Sequence, residues 1–250
     1  MAKIEIRNLW KVFSTDGSEI TALKNINLDI SDSSFVTIVG KSGCGKTTLL
    51  RILSGLEKSS EGDIRFLSKS GESIKPKISV VFQEPRLMPW LTVKENIRFS
   101  LLKENDSIEV NRKVDSYLEI LDLHKYKDLY PSQISGGMAQ RVALGRTLCY
   151  EPDIVLMDEP LGALDIYNRR RLQDEIKEIQ KSLKKTIIFV THDIDEALYL
   201  GEKVLVISNG QIVNDLYLSE ELKEDFKGKN MQLIKSQVED SILGRGFFRE

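Results

Sequence analysis

Residues 35–53 read FVTIVGKSGCGKTTLLRIL, and the organisation of the whole chain can be inferred by starting from them. The run begins with FVTIV, whose apolar and β-branched residues favour a buried strand. It ends with LLRIL, an apolar segment typical of a helix packed on a sheet. Gly40, Gly43, Gly45 and Lys46 stand between them, and glycine permits a tight turn and a close approach to a ligand. An ordinary glycine-rich turn is the plainer interpretation.

The loop fits the pattern G-x-x-x-x-G-K-[ST], and it joins a predicted strand to a predicted helix as a phosphate-binding loop (P-loop) requires. In such a loop, backbone N–H groups at the helix start bind phosphates. We therefore predict that Lys46 reaches the β- and γ-phosphates of a nucleoside triphosphate and that the Thr47 hydroxyl binds Mg²⁺. We expect Cys44 to serve as a small residue, not as a redox group. The other predicted nucleotide contacts are Gly40, Ser42, Gly43, Cys44, Gly45 and Thr48.

Composition limits the class of protein. The chain has 250 residues and a formal net charge of −2, so it can bury a core but lacks the basic excess of a general nucleic-acid binder. We predict no nucleic-acid partner. Its apolar runs are far shorter than the roughly 18 residues of a membrane-spanning helix, and its N-terminus has no secretory signal pattern. A cytoplasmic protein is expected.

Short apolar segments alternate with amphipathic helices, which is typical of an α/β protein with a largely parallel core sheet. The start differs, because Ile4, Ile6 and residues 9–13, followed by residues 23–30, favour two antiparallel strands joined by a turn at residues 14–17. Later strands are expected at residues 154–157, 187–190 and 204–207.

Helices replace strands between about residues 92 and 150. TVKE, from Thr92 to Glu95, is a capping box, and Val110, Val114 and Leu118 recur on one helix face. We predict an α/β P-loop NTPase core with a parallel sheet, an N-terminal antiparallel β subdomain and an inserted helical subdomain. The predicted ranges within one nucleotide-binding domain, 1–250, are about 1–91 and 151–218 for the core, about 92–150 for the helical part and about 219–250 for a C-terminal tail.

A second motif, DIVLMDEP at residues 153–160, places two carboxylates at the end of a predicted buried strand. Asp158 suits Mg²⁺ coordination, as in the Walker B motif of P-loop NTPases. Glu159 can polarise a water molecule for in-line attack on the γ-phosphate. A strand end with two solvated acids is the alternative.

A third motif, QISGGMAQR at residues 133–141, resembles the LSGGQ signature of the ATP-binding-cassette (ABC) family, and with the other motifs the resemblance covers nearly the whole chain. Ser135, Gly136 and Gly137 open a helix and offer a second anion site. Ile134 and Met138 replace the usual leucine and glutamine, so a polar contact from that glutamine is lost. The resemblance implies a head-to-tail homodimer in which each signature closes over the γ-phosphate held by the other copy.

The resemblance implies roles for four more residues. Gln83 in VVFQEP is similar to the Q-loop glutamine that touches Mg²⁺ and the attacking water, and His192 in FVTHD to the switch histidine at the γ-phosphate. Asp165 in GALD resembles the D-loop aspartate at the dimer seam, and Phe13 the aromatic residue that stacks on adenine. The plainer interpretation is that these residues are ordinary surface positions or, in the case of Phe13, part of the core. His124 has no motif around it and is expected to be a solvated helix residue.

These assignments imply an ATPase that uses ATP and Mg²⁺. The expected catalytic residues are Glu159, His192, Gln83 and Lys46, and the expected metal ligands are Thr47, Gln83 and Asp158. With one cassette and no spanning helix, the chain resembles the separately encoded ATPase subunit of a transporter. It would lie on the cytoplasmic side of the membrane, bound to an integral membrane permease and acting indirectly with a solute-binding protein.

The segment VFQEPRLMPWLTVKENI, residues 81–97, resembles the nitrate, sulfonate and taurine importer branch of the family. Met88, Pro89 and Trp90 correspond to the groove that receives the permease, although Trp90 could equally pack against the helical block. A soluble ABC ATPase that serves protein or cofactor assembly is the alternative function. GTPases and nucleotide kinases are disfavoured because N-K-x-D is absent, and DNA-repair cassettes because their long coiled coil is absent.

Overall fold

The computed structural model describes residues 2–15, 17–102, 104, 107–162 and 164–245. The chain divides into two compact units, one formed by residues 1–76 and 184–250 and the other by residues 77–183. The strands are β1 Lys3–Thr15, β2 Ser18–Ile30, β3 Phe35–Val39, β4 Glu61–Leu67, β5 Ile78–Val81, β6 Ile154–Asp158, β7 Thr186–Thr191, β8 Lys203–Ser208 and β9 Gln211–Tyr217. The helices are α1 Lys46–Leu53, α2 Val93–Arg98, α3 Ser107–Ile120, α4 Gly136–Cys149, α5 Ile166–Leu183, α6 Ile194–Leu200, α7 Glu220–Glu224 and α8 Lys229–Leu243.

The first unit contains the predicted antiparallel β part. Strands β2, β1 and β4 form a sheet in that order, and both pairs are antiparallel. The inward positions Ile4, Ile6 and Leu9 of β1 are fully buried, as the sequence predicts. Asp16, in the predicted turn between β1 and β2, lies outside the described residues.

The same unit contains a second set of strands, in the order β7, β3, β8, β9. Strand β3 pairs in parallel with β7 and with β8, whereas β9 pairs with β8 in the antiparallel sense. All five residues of β3 are buried, including Thr37, whose hydroxyl donates a hydrogen bond to the Ala197 carbonyl at 3.0 Å. A buried parallel strand of this kind needs apolar residues on both faces, which FVTIV supplies.

The second unit combines a parallel strand pair, β5 with β6, and the helices α2 to α5. The predicted capping box at the start of α2 is present, with Glu95 N donating to the Thr92 hydroxyl and Thr92 N donating to the Glu95 carboxylate. The predicted apolar face of α3 is buried at Val110, Val114 and Leu118. Three 3₁₀ turns complete the helical part, at Phe99–Leu101, His124–Tyr126 and Pro131–Gln133.

The predicted C-terminal tail is helical and belongs to the core of the first unit. Met231 and Val238 of α8 are buried against Ala197 and Leu198 of α6 and against strand β8. Lys235 of α8 also makes an ion pair of 2.7 Å with Asp195. Residues 246–250 lie outside the described part of the chain.

The residue ranges predicted for the core and the helical subdomain remain a prediction, and the two compact units follow a different division. Residues 77–183 contain β5, β6 and α5 as well as the helical block. Among the helices of the described residues, none combines the length and the hydrophobicity that crossing a bilayer requires.

Candidate functional site

The P-loop of the first unit joins β3 to α1 by a backbone that only glycine tolerates at Gly45. This residue has φ +110°, and a Cβ built on it would lie 2.6 Å from the Ala22 carbonyl oxygen and 2.8 Å from Leu23 Cδ2. At Gly40 the limit is space, because a Cβ there would lie 2.2 Å from the Ile207 carbonyl oxygen. These two glycines therefore let the loop fold closely around a ligand.

Lys46 is the first residue of α1, and its side chain turns back over the loop. Its Nζ donates to the carbonyl oxygens of Gly40 at 2.8 Å and Lys41 at 3.0 Å, and the residue is only 4% exposed. Thr47 is exposed at the start of the same helix, and Thr48 is half-buried. The loop thus holds a positive charge and the positive end of a helix dipole, an arrangement that favours bound phosphate.

The turn between β8 and β9 braces this loop. Gly210 N donates to the Cys44 carbonyl at 3.1 Å, and Lys24 N donates to the Gly210 carbonyl at 2.8 Å. Burial raises the pKa of the Cys44 thiol. A cavity of about 540 Å³ adjoins the loop and is lined by residues that include Ser42, Gly43 and Leu243 of α8. The buried thiol fits the predicted structural role of Cys44, and the cavity gives room beside the phosphate-binding backbone.

His192 lies at the same sheet edge as the P-loop. Thr191, the last residue of β7, pairs in register with Val39, the last residue of β3, so the residues that follow both strands emerge side by side. His192 is exposed, and Asp193 after it caps α6 by accepting a hydrogen bond from Glu196 N at 3.2 Å. The structure brings His192 and the P-loop together within the first unit.

Phe13, near the end of β1, is 36% exposed and does not pack in the core. The Lys11 ammonium lies over its ring, 4.6 Å from the centroid, and pairs with the Glu57 carboxylate at 2.8 Å. One ring face is therefore occupied by a cation. Stacking on adenine stays a prediction for Phe13.

In the second unit, Gln83 comes shortly after β5, and Asp158, the last residue of the neighbouring parallel strand β6, is followed by Glu159. Val81 of β5 pairs in register with Met157 of β6, which places these residues at one edge. Glu159 has φ +46°, an uncommon backbone conformation for a residue with a side chain. Such strained residues cluster at functional sites, where the surrounding structure holds them in place.

The signature serine caps the helix that follows it. The Ser135 hydroxyl accepts a hydrogen bond from Met138 N at 3.3 Å, so α4 starts at Gly136. Around Gly136 the space is open: among the described residues, and apart from its chain neighbours and the backbone of its own helix, no heavy atom lies within 4 Å of a Cβ built there. The helix start is thus open, and anion binding at it stays a prediction.

Asp165 lies next to the signature within the second unit. Its carboxylate accepts hydrogen bonds from the Tyr167 and Asn168 backbone N–H groups and from the Asn168 side chain. The hydrogen bond from Asn168 N is the main cause that lowers the pKa of Asp165. A Cβ on Gly137 would lie 3.6 Å from Asn168 Cγ, so the signature and the D-loop adjoin through Asn168.

Three polar residues of α4 to which the motifs assign no role make contacts within this unit. The buried Gln140 and the half-buried Arg146, both on α4, donate hydrogen bonds to backbone carbonyls on either side of Gln83. A third polar residue of the helix, Arg141, pairs with Glu175 of α5 at 2.7 Å. The sequence does hold a signal for these contacts: polar residues inside the otherwise apolar segment AQRVALGRTL need hydrogen-bond partners if they are buried.

The donors predicted for Mg²⁺ suit that ion chemically. Thr47, Gln83 and Asp158 all offer oxygen atoms, which Mg²⁺ prefers, and Mg²⁺ in nucleotide sites is completed by phosphates and water. Within the described residues there is no group of three or more His, Cys, Asp or Glu side chains that could hold a metal ion alone.

Other predicted positions are placed as follows. Trp90 is 70% exposed, so its interpretation as packed against the helical block is wrong, while Met88 is held by the buried Asn96 amide. His124 lies in a 3₁₀ turn, with its side chain about half exposed and its Nδ1 3.6 Å from a Glu119 carboxylate oxygen.

Comparison with known proteins places the chain in a family. The family model described as "ABC transporter" matches residues 23–162. An aliphatic sulfonates import ATP-binding protein, SsuB of Bacillus cereus, is 46% identical over 82% of this chain and 81% of its own length. An uncharacterized ABC transporter ATP-binding protein of Methanocaldococcus jannaschii, MJ0412, is 40% identical over 96% of this chain and 94% of its own.

Among solved structures, the dimeric ATP-binding cassette MJ0796, in a post-hydrolysis state with ADP and phosphate, has a TM-score of 0.75 to this chain. The two are 31% identical, and the match covers 86% of this chain and 99% of the other. The chain belongs to the ABC transporter family. The predicted family, the α/β P-loop fold and an ATPase function with ATP and Mg²⁺ are thereby confirmed.

Proposed function

We propose that this chain is the ATP-hydrolysing subunit of an ABC importer and that two copies assemble around two ATP molecules. The observation that carries this proposal is that one chain has two separate helix starts whose motifs suit anion binding, the P-loop at α1 and Ser135–Gly137 at α4. The presence of two such helix starts in one chain is explained if each of them binds a different nucleotide. The dimeric cassette MJ0796 supports assembly in pairs.

ATP binding is assigned to the first unit. The backbone from Gly40 to Thr48 would cradle the phosphates, with the Lys46 ammonium on the β- and γ-phosphates. Because Lys46 is already held over the loop by the Gly40 and Lys41 carbonyls, little side-chain entropy remains to be lost on binding. Phe13 would stack on the adenine with the ring face opposite Lys11.

Hydrolysis is assigned to Glu159, with help from His192 and Gln83. Glu159 would orient and polarise the attacking water, and His192 with Lys46 would stabilise the transferring phosphoryl group. Mg²⁺ would be held by Thr47, Gln83 and Asp158, and when bound it neutralises charge on the phosphate oxygens. The open helix start at Ser135 would bind the γ-phosphate held by the second copy, which makes that phosphate the contact that joins the two copies.

Transport is the use to which hydrolysis is put. The similarity to SsuB, an aliphatic sulfonates import ATP-binding protein, supports uptake of a sulfonate. The proposed substrate is a small organic or inorganic anion, which includes nitrate and taurine. The chain would lie at the cytoplasmic side of the membrane, with a solute-binding protein as an indirect partner. Exposed Trp90, beside the buried Asn96 that holds its loop, would contact the membrane permease. Large exposed aromatic residues are frequent hot spots of interfaces.

Replacement of Glu159 by glutamine tests the catalytic assignment. The E159Q variant should bind ATP with near-native affinity, hydrolyse it at least about 100-fold more slowly, and form a stable dimer with ATP, because only the water-activating group is changed. Size-exclusion chromatography with ATP and with ADP measures the dimer. Glu151→Gln, at an exposed carboxylate after α4, is the control and should behave like the wild type. Normal turnover by E159Q would contradict the assignment.

Purification of the tagged chain from mild detergent extracts tests transport. An integral membrane permease should co-purify and should be lost on replacement of Trp90 by serine, while ATP hydrolysis by the isolated chain stays unchanged. Recovery with soluble proteins only would instead support the alternative, an ABC ATPase that serves protein or cofactor assembly. If a permease co-purifies, ligand screening of the associated solute-binding protein would identify the transported substrate.

A further inference from the structure

Gln140, in the second turn of α4, binds the backbone at the start of the Q-loop. Its side-chain amide donates to the Phe82 carbonyl at 3.2 Å, and Phe82 immediately precedes Gln83. Gln140 is 3% exposed. A buried amide that lost this acceptor would be left without compensation for its lost hydration, so the contact is costly to break.

Arg146, further along the same helix, binds the backbone beyond Gln83. Its guanidinium donates from Nη2 to the Pro85 carbonyl and from Nη1 to the Arg86 carbonyl, both at 2.9 Å. Burial lowers the pKa of this guanidinium, yet the side chain keeps its charge at any physiological pH. Two hydrogen bonds from one planar fork fix position and direction, which a single bond cannot do.

The segment between β5 and α2 has unusual backbone features that make outside support useful. Pro85 has no N–H, and Arg86 adopts φ +46°. The Arg86 guanidinium lies over the Phe82 ring, 4.1 Å from its centroid, so the side chains on either side of Gln83 contact each other. Gln83 stands between the two tethered points.

The dimensions of the helix and of the segment match. The six residue steps from Gln140 to Arg146 span about 9 Å along α4, and the three steps from Phe82 to Pro85 reach at most about 10 Å when extended. The two tethers therefore join the helix and the loop over comparable distances. A shift of α4 that keeps these hydrogen bonds moves the backbone on both sides of Gln83.

We infer that Gln140 and Arg146 are positioning residues that couple the signature sequence to Gln83 through helix α4. The helix begins at Ser135, the residue proposed to bind the γ-phosphate of the second copy, and it holds the Q-loop at both sides of Gln83. When Ser135 binds the γ-phosphate held by the second copy, α4 therefore positions the Gln83 of its own chain. This inference rests on the proposed function for the roles of Ser135 and Gln83.

Trp90 offers a spectroscopic test, because the chain has only one other tryptophan, Trp10. In a Trp10→Phe background, Trp90 reports on the segment that follows Gln83. Addition of the non-hydrolysable analogue AMP-PNP with Mg²⁺ should change Trp90 emission. Arg146→Met and Gln140→Leu should abolish this change at saturating nucleotide while the affinity for AMP-PNP is kept.

Arg146→Lys, which keeps the charge and part of the donor set, should restore part of the response. The matched control is Arg112→Met on helix α3, an exposed position that should respond like the parent. A full emission change in both Arg146→Met and Gln140→Leu, or an unresponsive Trp90 in the parent, would overturn the inference.

Steady-state kinetics give a second measurement. Arg146→Met should lower kcat about tenfold with KM for ATP unchanged, and it should add nothing to the loss already caused by Gln83→Ala. Losses that multiply would indicate a merely structural role and overturn the inference. A parent whose Trp90 responds as expected but that does not hydrolyse ATP would contradict the proposed function and leave the positioning by α4 intact.

Discussion

Gly43 and Gly45 lie two positions apart in the P-loop but differ in what limits them. Both have positive φ, +78° and +110°, which costs a residue with a Cβ about 1–2 kcal/mol. Apart from its two chain neighbours, none of the described residues has a heavy atom within 4 Å of a Cβ on Gly43, whereas a Cβ on Gly45 overlaps the Ala22 backbone. The two positions thus separate conformational cost from steric overlap.

Gly45→Ala should therefore lower the free energy of unfolding by clearly more than the about 1–2 kcal/mol expected for Gly43→Ala. It should also weaken nucleotide binding, because the loop can relieve the overlap only by moving its N–H groups. Urea denaturation and equilibrium binding of a fluorescent ATP analogue measure both effects. Equal losses at the two positions would mean that the loop adapts freely.

The buried Cys149 thiol and Tyr117 hydroxyl make the second unit sensitive to alkali. Burial raises the pKa of Cys149 from 9.0 to about 11 and that of Tyr117 from 10.0 to about 12. From about pH 9 to about pH 12 the folded chain therefore holds more protons than the unfolded chain. Stability must fall as the pH rises through this window.

Replacement of Tyr117 by phenylalanine should reduce the slope of this alkaline loss, because the variant no longer has that hydroxyl to ionise on unfolding. Urea midpoints measured at intervals of half a pH unit, with reductant to keep the thiols free, give the slope. Cys149→Ala should have a similar effect on the slope despite the cavity it leaves. An identical slope in the wild type and both variants would contradict the burial argument.

Single residues show how far the sequence reaches at the site. The position of Lys46 over a glycine-rich loop follows from the spacing of the motif, and the structure agrees. The backbone of Glu159 and the Lys11 ammonium over Phe13 do not follow, because they depend on contacts between distant segments. Lys11 meets Glu57, 46 positions along the chain, a pairing that no local pattern records.

Helix α2 is the element whose start is most clearly defined by sequence. Its capping box satisfies two backbone donors, Thr92 N and Glu95 N, by reciprocal contacts. Thr92→Ala should reduce the free energy of unfolding by about 1 kcal/mol, and Thr92→Ser, which keeps the oxygen, should cost much less. Chemical denaturation followed by circular dichroism checks both. Equal effects would indicate loss of the methyl contact instead of the cap.

Elements differ in how well their sequences predict them. Strands β3, β6, β7 and β8 are recognisable because a buried parallel strand is apolar on both faces. Strand β4, EGDIRFL, is not recognisable from its sequence, since all of its residues are exposed or half-buried and it carries a glycine. It is held by pairing with β1, and a partner so far away in sequence leaves no local signal.

The C-terminal tail contributes to the stability of the whole molecule. Met231 of α8 is 2% exposed and packs in the same cluster as Ala197 and Leu198, whereas Leu233 on the same helix is 60% exposed. Met231→Ala should lower the free energy of unfolding by about 2–5 kcal/mol, and Leu233→Ala by less than about 0.5 kcal/mol. Thermal unfolding followed by circular dichroism tests the pair. Similar small losses would show that α8 is dispensable.

For the whole molecule, the sequence predicts the class of fold but not how the chain divides into compact units. The order of strands and helices is enough to infer an α/β core, an antiparallel start and a helical block. It does not show that residues 77–183 form one compact unit, because compactness depends on contacts between segments far apart in the chain. Polar residues spaced along α8 likewise concealed that its other side is buried.

The Lys11 ammonium above the Phe13 ring affects which nucleoside triphosphates the chain can use as substrates. A ring with one side already taken can meet a purine only through its remaining π surface, and a π surface does not distinguish amino from oxo substituents. If the base is recognised only there, guanosine and inosine triphosphates should be consumed almost as readily as adenosine triphosphate. The preference for ATP in a living cell would then follow from its abundance.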